Sequence, residues 1–60
     1  MAKYRLNFYS IKNNTNECIY FENRTDFECL KNHLLSVNYI KDLMAFAFDK
    51  KAKMYKEVKL

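Results

Sequence analysis

The stretch that decides the fold is Thr25-Asp-Phe-Glu-Cys-Leu-Lys-Asn-His-Leu-Leu35. Thr25 followed three residues later by Glu28 has the spacing of a capping box, in which each side chain covers a backbone N–H left unpaired at a helix start. Phe27, Leu30 and Leu34 recur at i, i+3 and i+7, which places them in one narrow apolar stripe. The spacing predicts a helix over 25–35, ending in Ser36-Val37-Asn38, with Asn38 as a left-handed exit in place of glycine.

Outward from this helix the period changes from 3.6 to two. Before it, Lys3 to Ile11 alternates, with Tyr4, Leu6 and Phe8 on one parity and Arg5, Asn7, Tyr9 and Ile11 on the other. Lys12 to Asn16 reads as a turn, its asparagines supplying the left-handed backbone that a chain without glycine must find elsewhere. Glu17 to Glu22 is a second strand, with Ile19 and Phe21 against Cys18 and Tyr20. After the helix, residues 39–42 carry no clear pattern. Leu43 to Asp49 fits a strand through Met44, Phe46 and Phe48, although Ile40, Leu43, Met44 and Ala47 also fit a helix. The strand is the reading adopted. Asp49 to Lys53 is a polar turn and Met54 to Leu60 alternates again.

The expected architecture is α+β in the order β-β-α-β-β, a four-stranded antiparallel sheet with one helix packed on one face. Residues 1–60 then form a single small domain, of a size that leaves stability marginal. The helix-facing side is expected to take Leu6, Phe8, Ile19, Phe21, Val58 and one parity of the third strand, with Ala45 and Ala47 a good fit beneath a close-packed helix. The other face receives Tyr9, Ile11, Tyr20 and Tyr55, with Met44, Phe46 and Phe48 if those alanines face the helix. An aromatic face of that extent marks a contact surface rather than ordinary exposure.

Charge is placed unevenly. Residues 50–60 hold five lysines against one glutamate, and the remainder holds six charges of each sign, so the net charge of +4 sits in the last eleven residues. Lysines there suit either the defence of a sheet edge or contact with phosphates. The longest apolar run, Leu43 to Phe48, is far shorter than the ~20 residues of a membrane span, and no charged-then-apolar leader is expected, because Arg5, Asn7 and Ser10 interrupt the only candidate. A cytoplasmic protein is expected, with Cys18 and Cys29 as free thiols.

Asp26, Cys29 and His33 share one side of the helix, and Cys29 with His33 at i, i+4 has the spacing of a metal-binding or thiol–imidazole pair. A structural zinc needs four ligands, and only Cys18 could add a soft one; an acyl-transfer site would need an oxyanion hole and a cleft. Without glycine no phosphate-cradling loop of the usual kind can form. No catalytic residue, metal or cofactor is therefore expected, and this side of the helix is read as a solvent-facing flank with a small buried or half-buried thiol at Cys29.

Abundant lysine, asparagine, tyrosine and isoleucine, with no glycine, proline or tryptophan, resembles the composition of small orphan proteins of phages and mobile elements. That resemblance implies an anti-CRISPR or other anti-defence inhibitor, or a regulator, that binds a host nucleic-acid-processing complex. Tyr9, Tyr20, Phe46 and Tyr55 are the expected partner-binding residues, rimmed by Lys50, Lys51 and Lys53. The competing expectations are RNA or single-stranded DNA stacked on the same tyrosines, and a homodimer through the same face.

Overall fold

The computed structural model describes residues 2–60 and has the expected order: β1 (Tyr4–Ser10), β2 (Thr15–Phe21), α1 (Arg24–Leu35), β3 (Ile40–Asp49) and β4 (Met54–Val58). All pairings are antiparallel and the strands lie in the order β2-β1-β3-β4. Each hairpin contributes its first strand to the middle of the sheet. The residue-39–48 ambiguity is settled in favour of strand from Ile40 onward.

Sequence places the helix but misassigns its cap. Asn23, in extended backbone, accepts from the Asp26 backbone N–H at 2.8 Å, so the N-cap lies two residues before Thr25. Its side-chain amide also donates to the Asp26 carboxylate at 3.0 Å. Asparagine is as good an N-cap as threonine, and two residues earlier it lets Arg24 and Thr25 become helical. Glu28, freed from the capping box, takes Lys31 instead at 2.8 Å. Asn38 is not left-handed either; Ser36 ends the helix, its backbone N–H and its hydroxyl both donating to His33 O while the Val37 N–H donates to Leu34 O.

The core is small. Leu6, Phe27, Leu34 and Ala45 are buried, and Tyr4, Phe8, Phe21, Leu30, Val37, Ile40, Leu43 and Val58 pack around them. Tyr4 stacks on Phe27 with ring centroids 4.7 Å apart, and Phe21 meets Phe27 edge-on at 5.9 Å. Lys31, unanticipated as an inward residue, is buried with its ammonium 5.6 Å from the Phe27 ring and paired to Glu28. Its stem covers apolar surface while its head keeps a partner. Together with Arg24 and Glu28 it borders a crevice against Ala47, Val58 and Lys59, so this helix flank looks toward β4.

Three non-glycine residues carry positive φ: Asn14, Asp42 and Lys53. Asn14 and Lys53 play the same part in the two hairpins, each the last of four loop residues. Ser10 Oγ accepts from the Asn13 N–H at 3.2 Å, and Asp49 Oδ1 accepts from Lys51 at 2.9 Å and Ala52 at 3.3 Å. Asp49 also holds Lys56 at 3.0 Å, and that bond with the two N–H donors keeps its carboxyl below the ordinary range. Asp42 marks a β-bulge. Asn7 pairs with Met44 and Tyr9 with Lys41, so Asp42 and Leu43 together oppose Phe8. The extra residue restores parity on its far side: Ile40 and Leu43 both face the core, and Lys41 faces away.

Candidate interaction face

The face without the helix can be built row by row from the strand register. Arg5 pairs with Tyr20 on one side and Phe46 on the other, and Phe46 pairs with Glu57. One row nearer the β3–β4 turn, Phe48 pairs with Tyr55. One row farther away, Asn7 lies between Cys18 and Met44; beyond the bulge, Tyr9 lies between Asn16 and Lys41.

The centre of the face is Arg5. Its guanidinium carbon lies 4.2 Å from the Phe46 ring centroid and 4.9 Å from that of Tyr55. Tyr55 crosses the sheet to donate its hydroxyl to Ala2 O at 2.8 Å. Its ring meets Phe48 edge-on at 5.3 Å and reaches Tyr20 at 5.9 Å. Tyr20 and Tyr55 come from opposite edge strands, some ~14 Å apart in the sheet plane at ~4.8 Å per strand. Their rings nevertheless meet, so Tyr20 extends the Phe46–Tyr55 pair that holds the guanidinium. Arg5 Nε is cut off from solvent and has no hydrogen-bond partner, so the rings supply its main stabilising contacts.

Of the residues expected from sequence to bind a partner, Tyr20, Phe46 and Tyr55 are brought together. Tyr9 is not with them. Four residues from Arg5 along the same strand, or ~13 Å at ~3.3 Å per residue, it sits under Lys41 Nζ at 5.0 Å, and its hydroxyl lies 3.4 Å from Asn14 Oδ1. Lys50, Lys51 and Lys53 lie exposed in the β3–β4 turn, at the end of the sheet where Phe48 and Tyr55 stand. Arg5 was missed as a member of the site. Its parity with Tyr9 was visible, but its cross-strand neighbours depend on a register that the sequence does not print.

The exposed large apolar side chains in these rows are Tyr20, at 54% of its full accessibility, and Met44, at 38%. Phe46, Phe48 and Tyr55 are half-buried among themselves. Past Met44 the bulge leaves a hollow of about 340 Å³ bordered by Asn7, Tyr9, Asn16, Cys18 and Asp42. Asn7 Oδ1 is buried without a partner.

On the opposite side of the molecule Asp26, Cys29, Leu30 and His33 line a shallow cleft on the exposed helix flank. Cys29 is exposed rather than half-buried, because at this position the helix turns it away from the sheet. Among the described residues no group of three His, Cys, Asp or Glu side chains is placed to hold a metal ion. No helix among them is long and apolar enough to cross a membrane. Compared with family models, curated proteins and solved structures, the chain matches none, which leaves the geometry of the open face as the ground for a functional reading.

Proposed function

We propose that this protein is a non-enzymatic protein-binding module, acting in the cytoplasm, that docks on another protein through the face of the sheet opposite the helix. The observation that carries the reading is the Arg5–Tyr20–Phe46–Tyr55 cluster: aromatic side chains locked around a cation on a surface the helix leaves bare. Tyrosine and arginine are favoured anchors in interfaces, and rings already fixed by one another lose little conformational freedom on binding. Basic turn residues Lys50, Lys51 and Lys53 rim the cluster and favour an acidic partner surface. With the phage-like composition, the reading is an inhibitor or regulator of a host nucleic-acid-processing complex, of the anti-CRISPR or other anti-defence type.

Base stacking on RNA or single-stranded DNA is the weaker reading. It needs open ring faces in succession, and only Tyr20 among the clustered rings is exposed. The test compares wild type with Tyr20→Asp and Met44→Asp as baits in a bacterial lysate. A protein retained by wild type, lost from both variants and kept by the helix-surface variant Asn32→Asp supports the reading. Retention by the two face variants overturns it, as does tight, salt-sensitive binding of a generic oligonucleotide that Tyr20→Asp abolishes.

A further inference from the structure

We propose that the free edge of β2 pairs with β2 of a second copy of this chain, antiparallel and centred on Cys18, to form an eight-stranded sheet. The inference is independent of what binds the open face. It begins from the direction of backbone groups. Just beyond the two ends of β1, Lys3 O accepts from Phe48 N–H at 2.8 Å and Ile11 N–H donates to Tyr39 O at 2.9 Å, while Lys3 N–H turns to Phe21 O at 2.9 Å; carried along the register, odd-numbered residues within β1 direct their backbone toward β3, and Phe21 O faces β1. Even-numbered ones therefore meet β2, at Phe21, Ile19, Glu17 and Thr15. Asn16, Cys18 and Tyr20 are left with N–H and C=O pointing out from the sheet edge.

The two edges differ in how they are guarded. β4 is five residues long and carries Lys56, with Lys53 and Lys59 just beyond its ends. β2 runs seven residues in unbroken register with β1, has no lysine, proline or bulge, and is mostly exposed. Lysines and brevity are usual protections of an edge, and β2 has neither; its single charge, Glu17, accepts from the Thr15 hydroxyl at 2.6 Å.

The strand is also self-complementary. Cys18 is its middle residue, so a two-fold axis there pairs Asn16 with Tyr20 of the second copy and Cys18 with its own equivalent. All three outward residues then find partners. Glu17 comes opposite Ile19 of the second copy, not opposite another glutamate, so no like charges face each other directly. Because the Arg24–Glu28–Lys31 flank of α1 looks toward β4, the flank with Asp26, Leu30 and His33 lies on the β2 side. The axis is perpendicular to the sheet, so both helices share one face and the two aromatic clusters share the other. A closed two-fold is the commonest symmetry of homo-oligomers, whereas β2 joined to β4 head to tail would not close.

The test is sedimentation of wild type against Cys18→Pro and Cys18→Lys. The Cys18 N–H lies outside the ladder, where proline is tolerated, and its side chain is exposed, so both variants should keep the far-UV circular dichroism of the fold. Wild type is expected to show a concentration-dependent dimer, and both variants only monomer. In a hydrogen-bonded antiparallel pair the two Cα atoms are ~5.5 Å apart, within disulfide range. Diamide, taking up the two protons and two electrons that the thiols lose, should cross-link wild type and Cys29→Ser but not Cys18→Ser. A wild type that stays monomeric at its solubility limit overturns the proposal. So does a dimer that survives both variants, or growth into species larger than two.

Discussion

Lys53→Gly should make the protein more stable, although it removes a side chain and creates no contact. Lys53 closes the β3–β4 turn at φ 55°, in the left-handed region, and is exposed. For an L-residue with a Cβ that conformation costs ~1–2 kcal/mol, and for glycine almost nothing. Against this, glycine gains freedom in the unfolded chain worth ~0.4–1 kcal/mol. The net expectation is a gain of about 0.5–1 kcal/mol, or a rise in Tm of ~2–8 °C for a domain this small. Removing one of three neighbouring lysines also relieves repulsion in the turn, so the control is Lys53→Ala, which loses the same charge but keeps the Cβ. Urea denaturation of the three proteins gives the comparison, with an unchanged m value as the condition that it reports stability alone. If Lys53→Gly is no more stable than Lys53→Ala, the turn is not built as described.

Leu6 is fully buried beneath the helix, and Leu6→Ala should cost ~3–5 kcal/mol, a large part of the ~3–9 kcal/mol a chain of this length can hold; the unfolding midpoint in urea will fall sharply or the fold will be lost. Asn23→Ala should lose ~1 kcal/mol through the N-cap while Thr25→Ala stays within about 0.5 kcal/mol, and the reverse ranking by thermal melting would restore the capping box at Thr25. Glu28 is lowered by its bond to Lys31 and Asp49 by its bond to Lys56, so each carboxylate adds stability above its unfolded value, and that contribution is lost as pH falls through the lower folded value. Lys56→Met should therefore flatten the loss of urea midpoint between neutral pH and the acid range, and equal slopes would refute the pairing.

The alternation on both sides of the helix was legible because each strand has one face against the core and one away from it. Where the pattern failed, a single residue accounts for it. Ile40, Leu43 and Ala47 recur at helical spacing because the bulge at Asp42 inserts an extra residue between Ile40 and Leu43. A strand with one extra residue imitates a helix in sequence, and no local signal other than an aspartate tolerant of positive φ points to it. The cap was misread for a different reason. Asn23 and Thr25 are both good N-caps, and the choice between them follows from where β2 ends and the helix must begin to lay Phe27 on Tyr4.

Sequence by itself determined the order of elements and the parity of the first, second and fourth strands, because periodicity is a property of each segment alone; the third strand's parity, which changes at the Asp42 bulge, was not among them. The assembly of the site was decided only in three dimensions. Arg5 becomes its centre through the strand order β2-β1-β3-β4, which puts Tyr20 and Phe46 on either side and lets Tyr55 reach across. The same order leaves Tyr9 with Lys41 at the far end and makes β2 an unguarded edge. Which strands neighbour one another depends on how two hairpins meet under one helix, and that is set by contacts between distant parts of the chain.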